Sequence, residues 1–138
     1  MNIATHEVQG RVKVTVLQPQ GDVDGHTFQE LISKAQEACH AGAQNIVIDL
    51  SGVRFLSSAG LVAIHSISKL LQGQKLPDLE AGWSTLHRIK DEAAEKHAHP
   101  HLKLANPQPA VDKVLQMAGF KPMFEVHPDV EAAVASFK

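Results

Sequence analysis

Cysteine is almost missing from this chain. Cys39 is the only one, so no disulfide can close within it, and a reducing compartment fits. No apolar run approaches the roughly 20 residues that a membrane span needs. Neither sign of charge dominates: 13 Lys and Arg stand against 15 Asp and Glu, a formal net charge of -2. That leaves no electrostatic case for nucleic acid or an anionic membrane as partner. The first residues, Met1 to Glu7, hold no basic region leading into an apolar stretch, so no signal peptide is indicated and a cytoplasmic location is expected. Several catalytic signatures are also lacking. There is no Gly-x-x-x-x-Gly-Lys phosphate cradle, no Gly-x-Ser-x-Gly elbow, no His-Glu-x-x-His and no Cys-x-x-Cys. An enzyme reading has little to stand on, and no metal or cofactor is implied.

What the chain has is an ordinary globular composition. Its 138 residues, 43% hydrophobic and 20% charged, suit one domain over 1–138 with a sizeable core. The most informative stretch runs from Asn45 to Leu61. Ile46 to Leu50 is apolar except for Asp49, as an interior strand reads. Ser51-Gly52 breaks it. Leu61, Ile64, Ile67 and Leu71 then recur at helical spacing. Ser57 and Ser58 therefore sit at a helix start. A serine there can cap an orphan backbone N–H. The same place favours negative charge, because the first-turn N–H groups and the helix dipole both point at it. The element can be a plain cap or a phosphorylation switch.

The other elements follow from pattern. Ile3 to Val8 and Val12 to Leu17 flank Gln9-Gly10-Arg11 as a hairpin. Val12, Val14 and Val16 alternate with polar residues, as in a strand with one face inside, and Pro19 and Gly21 end it. A helix starts at Thr27, with Thr27 and Glu30 as a capping box and Gly42 closing it. Trp83, Leu86, Ile89 and Ala93 fall on one face of a further helix between about 76 and 100. Trp83 there serves either core cover or an interface anchor. His101 to Ala105 reads as a strand. Val111, Val114, Leu115 and Ala118 make a helix stopped by Gly119. Met123 to Val126 reads as the last strand, and Pro128-Asp129 opens a final helix. Alternating strands and helices imply an α/β fold. Its sheet has an antiparallel opening hairpin and otherwise mostly parallel strands, with about four helices plus one inserted helix.

Three weaker constellations read as chance or as solvated surface. Asp22-Val23-Asp24-Gly25 lacks the Glu that a calcium loop needs at its twelfth position, where Ser33 stands. Asp24 instead shapes the loop before the first helix, close to the serines. His97, His99 and His101 lie in a loop best read as solvated, and His65 as a partly buried packing residue. Ser66-x-x-Lys69 falls mid-helix without companion motifs.

The string Val53-x-Phe55-Leu56-Ser57-Ser58-Ala59-Gly60-Leu61 resembles the signature of the STAS domain, the fold of bacterial anti-sigma factor antagonists. Gly21-Asp22-Val23-Asp24, Asn106-Pro107, Val114-Leu115-x-x-Ala118-Gly119-Phe120 and Phe124-Glu125-Val126-x-Pro128-Asp129 extend the resemblance over nearly the whole chain outside the insertion. It implies a cytoplasmic regulator of transcription that binds an anti-sigma factor or related serine kinase. By position, Ser58 is the counterpart of the serine that a partner kinase phosphorylates in that family, which implies phosphorylation at Ser58. The binding face implied comprises Asp22, Asp24, Thr27, Ser57, Ser58, Gly60 and Leu61. The family usually has Asp where this chain has Ser57, which removes a carboxylate beside the acceptor. The alternative is therefore a non-phosphorylated scaffold or oligomerisation module in a bacterial signalling assembly, with a homodimer possible through the inserted helix. A small hydrolase using Ser58 with a histidine is a distant third.

Overall fold

The computed structural model describes residues 2–71 and 99–137. In chain order the elements are β1 (Asn2–Gln9), β2 (Lys13–Gln20), α1 (Phe28–His40), β3 (Ile46–Asp49), α2 (Ser58–Leu71), β4 (Leu102–Ala105), α3 (Pro109–Met117), β5 (Val126–His127) and α4 (Val130–Ala135). The strands form one five-stranded sheet in the order β1-β2-β3-β4-β5. β1 and β2 run antiparallel, and the later neighbours are parallel. The helix expected around Trp83 and Leu86 lies outside the described residues.

The pleat explains why β3 reads as a continuous apolar run. Alternate side chains leave opposite faces of the sheet. Ile46 and Ile48 join Leu17, Leu102 and Leu104 beneath α1, α2 and α3, while Val47 joins Val14, Val16 and Ala105 beneath α4. Both faces of the middle strands are covered, so the one-sided alternation expected for β2 does not hold. Thr15, a polar position in that pattern, is buried.

Other boundaries differ for local reasons. Pro19 lies within β2 rather than ending it. It sits past the Thr15–Leu17 stretch that pairs with β3, where a missing N–H breaks no ladder bond on that side. Met123 and Phe124 are buried but do not form a strand. Both donate backbone N–H groups to the Phe120 carbonyl, at 3.0 and 2.9 Å, so this apolar run plugs the core as a turn. The last strand is only Val126–His127. Gly42 does close α1: its φ is 101°, and the Gly42 and Ala43 N–H groups return to the Cys39 and Ala38 carbonyls, each at 3.0 Å. Asp129 caps α4 by accepting the Ala132 N–H at 2.7 Å.

Two buried polar groups run against the sequence reading. His99 is 7% exposed, not part of a solvated loop. Its Nδ1 accepts the His101 and Leu102 backbone N–H groups, both at 3.0 Å, so Nε2 carries the proton and donates to the Ser68 carbonyl at 3.1 Å. His65 is likewise fully buried rather than half-buried. His101 is exposed, with Nδ1 2.9 Å from Asn45 Oδ1, and His97 lies outside the described residues. Lys103 is buried on β4, satisfied by Glu125 Oε2 at 2.8 Å and Ser136 Oγ at 2.8 Å, with the Phe137 ring beside it. That pairing holds the Glu125 carboxyl below its ordinary pKa.

Candidate functional site

The chain after β2 and the chain after β3 run side by side. Gly21 donates its N–H to the Gly52 carbonyl, Val23 to Phe55 and Ser57 back to Val23, each at 2.9 Å. Val23 and Leu56 form a parallel bridge. Two segments far apart in sequence, Asp22 to Thr27 and Phe55 to Ser58, are thereby fixed against each other.

The first loop is stapled from inside. Thr27 Oγ1 accepts the Asp24 N–H at 3.0 Å and donates to the Asp22 carbonyl at 2.7 Å. The expected capping box does not form: Thr27 is the N-cap of α1, but its side chain caps no helical N–H because the hydroxyl is committed to the loop. The Asp24 carbonyl instead receives the Thr27 and Phe28 N–H groups, at 3.2 and 2.9 Å. Asp24 Oδ1 accepts the His26 N–H at 2.9 Å. That bond, helped by the Thr27 hydroxyl, keeps the carboxyl below its ordinary pKa and hence charged. Asp24 thus shapes the loop beside the serines, as the sequence suggested.

At the helix start the two serines divide their roles. α2 begins at Ser58, and Ser57 precedes it. Ser57 Oγ accepts the Gly60 N–H at 3.4 Å, a long cap bond, and the Ser57 carbonyl receives the Leu61 N–H at 3.0 Å. Ser58 is exposed, and the first turn of α2 carries no acidic residue. Gly60 and Leu61 are buried and lie beneath this face rather than on it. A Cβ on Gly60 would come 2.8 Å from the Val23 carbonyl oxygen and 2.5 Å from Leu56 Cδ1. The absent side chain is what lets α2 start so close to the backbone at Val23. Asp22, Asp24, Thr27, Ser57 and Ser58 thus share one end of the sheet, with Gly60 and Leu61 supporting it.

Sequence reasoning passed over three contributors. Asp49 is buried, and its Oδ2 accepts from Gln18 Nε2 at 2.7 Å while Oδ1 accepts the Ser51 N–H at 3.0 Å. This pins the turn leaving β3. Gln20 fills the space over Gly52, where a Cβ would meet its Oε1 at 2.5 Å. Phe55 stands in the signature string yet is 52% exposed. A polar interruption in an apolar strand was the available signal for Asp49. Nothing in the sequence separates Phe55 from a core residue. Among the described residues no cluster of three or more His, Cys, Asp or Glu could hold a metal ion, and no helix is long and apolar enough to cross a membrane.

Comparison with known proteins narrows this arrangement to a family. The family model described as the STAS domain matches residues 5–77. No curated protein sequence matches the chain. Solved structures share the fold. An anti-sigma factor antagonist from Mycobacterium paratuberculosis superposes with a TM-score of 0.66 at 20% identity, covering 98% of this chain and 93% of its own. The anti-sigma factor antagonist SpoIIAA in its unphosphorylated form gives 0.54 at 22%, with 94% and 93% covered. SpoIIAA of Bacillus in its phosphorylated form gives 0.54 at 21%, with 94% and 96% covered. At such identities the likeness speaks for the fold alone. The family model reaches further: it spans residues 5–77 of 138 and contains both segments of the site, so the chain belongs to the STAS domain family.

Proposed function

We propose that this chain is a bacterial, cytoplasmic anti-sigma factor antagonist-like regulator. It binds a kinase-type anti-sigma factor through the face made by Asp22, Asp24, Thr27, Ser57 and Ser58, and it acts by recognition rather than catalysis. Ser58 is the regulated hydroxyl. One observation carries the assignment: Ser58 is exposed on the first turn of α2, while the neighbouring Ser57 is half-buried and its hydroxyl accepts the Gly60 N–H as the cap. A phosphate on Ser58 adds about -1.5 to -2 charges where the helix dipole tolerates them. The domain then stays folded while its docking face changes character. The fold relative SpoIIAA exists in phosphorylated and unphosphorylated forms, which supports the same switch here.

The missing carboxylate favours a second reading. Ser57 is neutral and already engaged, so it supplies no charge beside the acceptor. A binding module without phosphorylation, working as a scaffold in a signalling assembly, fits that feature. Calorimetry with a purified kinase-type anti-sigma factor from the same organism separates the two. The switch reading expects wild type and Ser58→Ala to bind alike and Ser58→Asp to bind more weakly. Equal binding of all three supports a binding module without the switch, and no binding by wild type removes the switch reading.

A further inference from the structure

We infer that Phe55 is the apolar anchor of this docking face, entering a hydrophobic pocket on the partner, and that the Ser58 phosphate acts by preventing that entry. The inference rests on the proposed function and adds to it how the phosphate would release the partner. Phe55 is 52% exposed, while every other apolar residue from Val53 to Ile67 except half-buried Ala59 is buried. The exposure is not slack in the chain. The Phe55 carbonyl receives the Val23 N–H at 2.9 Å, and the next residue, Leu56, is 2% exposed and packs under Gly60. With Leu56 locked inward on a bridged backbone, Phe55 is held outward. An aromatic on a fixed backbone loses little conformational freedom when it is buried by a partner.

Phe55 and Ser58 are three residues apart, so their Cα atoms lie no more than about 11 Å from each other. A partner surface that closes over Phe55 must also exclude water around Ser58. A neutral hydroxyl tolerates that. A phosphate does not, because it would lose its hydration inside an apolar contact. Arg54, between Val53 and Phe55, is exposed. The partner complementary to this face has an apolar pocket that receives Phe55.

A double-mutant cycle against the same purified anti-sigma factor tests this. Phe55→Ala is expected to weaken binding about tenfold or more, as buried interface aromatics do. Phe55→Leu is expected to recover part of the loss. In wild type, Ser58→Asp should weaken binding about tenfold, but in the Phe55→Ala background by less than about threefold, because a face that no longer closes dry penalises charge less. Thermal melts of each variant verify folding, which a half-exposed side chain leaves intact. Undiminished binding by Phe55→Ala, or equal Ser58→Asp penalties in both backgrounds, overturns the inference while the proposed function stands. Absence of wild-type binding overturns the proposed function itself.

Discussion

Replacing Gly60 with alanine puts a methyl group where α2 meets the backbone at Val23. Leu56 Cδ1, at 2.5 Å from that methyl, ends a flexible side chain and can turn aside. The Val23 carbonyl oxygen, at 2.8 Å, is backbone and cannot. It also accepts the Ser57 N–H at 2.9 Å, so moving it lengthens the bond that seats the helix start. Overpacking of this kind costs about 1–3 kcal/mol, and a weakened buried hydrogen bond about 0.5–1.5 kcal/mol. Alanine returns up to about 1 kcal/mol through helix propensity. The net expectation is a loss of about 1–3 kcal/mol, or roughly 4–12 °C in Tm for a chain of this size. Urea titration should show a lower midpoint at an unchanged slope. A Gly60→Ala protein as stable as wild type would mean that α2 has room to shift, and would refute the claim that the absent side chain lets α2 start so close to Val23.

Three more expectations follow from the same geometry. Burial keeps the His99 imidazole well below its ordinary pKa, at about 4, with the Ser68 carbonyl opposing the shift and His101, Lys69 and His65 adding to it. The unfolded chain therefore binds the extra proton between the ordinary histidine value and about 4, so stability is complete above that window and falls as pH drops through it. After discounting for solvent screening the loss is about 1–2 kcal/mol; urea midpoints for His99→Gln should lack most of this slope, and an identical slope would place the effect elsewhere. Ser57→Asp keeps a capping residue beside Ser58, so stability should change by less than about 0.5 kcal/mol, while phosphorylation of Ser58 by the cognate kinase should become faster; an unchanged rate would mean that the carboxylate is dispensable. Because His99 is bound to Ser68, the ends of the intervening chain are held together, and deletion of 76–98 with a short flexible linker should preserve the sheet and α2 by circular dichroism; unfolding would give that segment a role in the core, and a change in sedimentation would support assembly through it.

How far the residues disclosed the fold depended on whether a signal was local. β3, α1, α2 and the capped start of α4 follow from periodicity and end residues, because each depends on its own few neighbours. Met123 and Phe124 misled because an apolar run is equally good filling for a core turn. Thr15 misled because α1 and α4 cover both faces of β2, which its own pattern does not record. His99 is buried and bound to the Ser68 carbonyl rather than solvated; a buried histidine and a solvated one look alike in a His-rich string. At the candidate site, the proximity of Asp24 to the serines was legible through the family pattern. The Thr27 staple was not, since its three partners come from a loop geometry that no spacing rule describes.

The central claim is that Ser58, and not its neighbour, is the regulated hydroxyl of a partner-binding face. It is tested most directly by incubating the protein with a purified kinase-type anti-sigma factor and ATP, then locating the phosphate by mass spectrometry. The account predicts phosphate on Ser58, none on Ser57 or Thr27, none at all in Ser58→Ala, and loss of partner binding in the modified fraction. Phosphate on Ser57 or Thr27, or a Ser58 phosphoprotein that binds its partner undiminished, would contradict it.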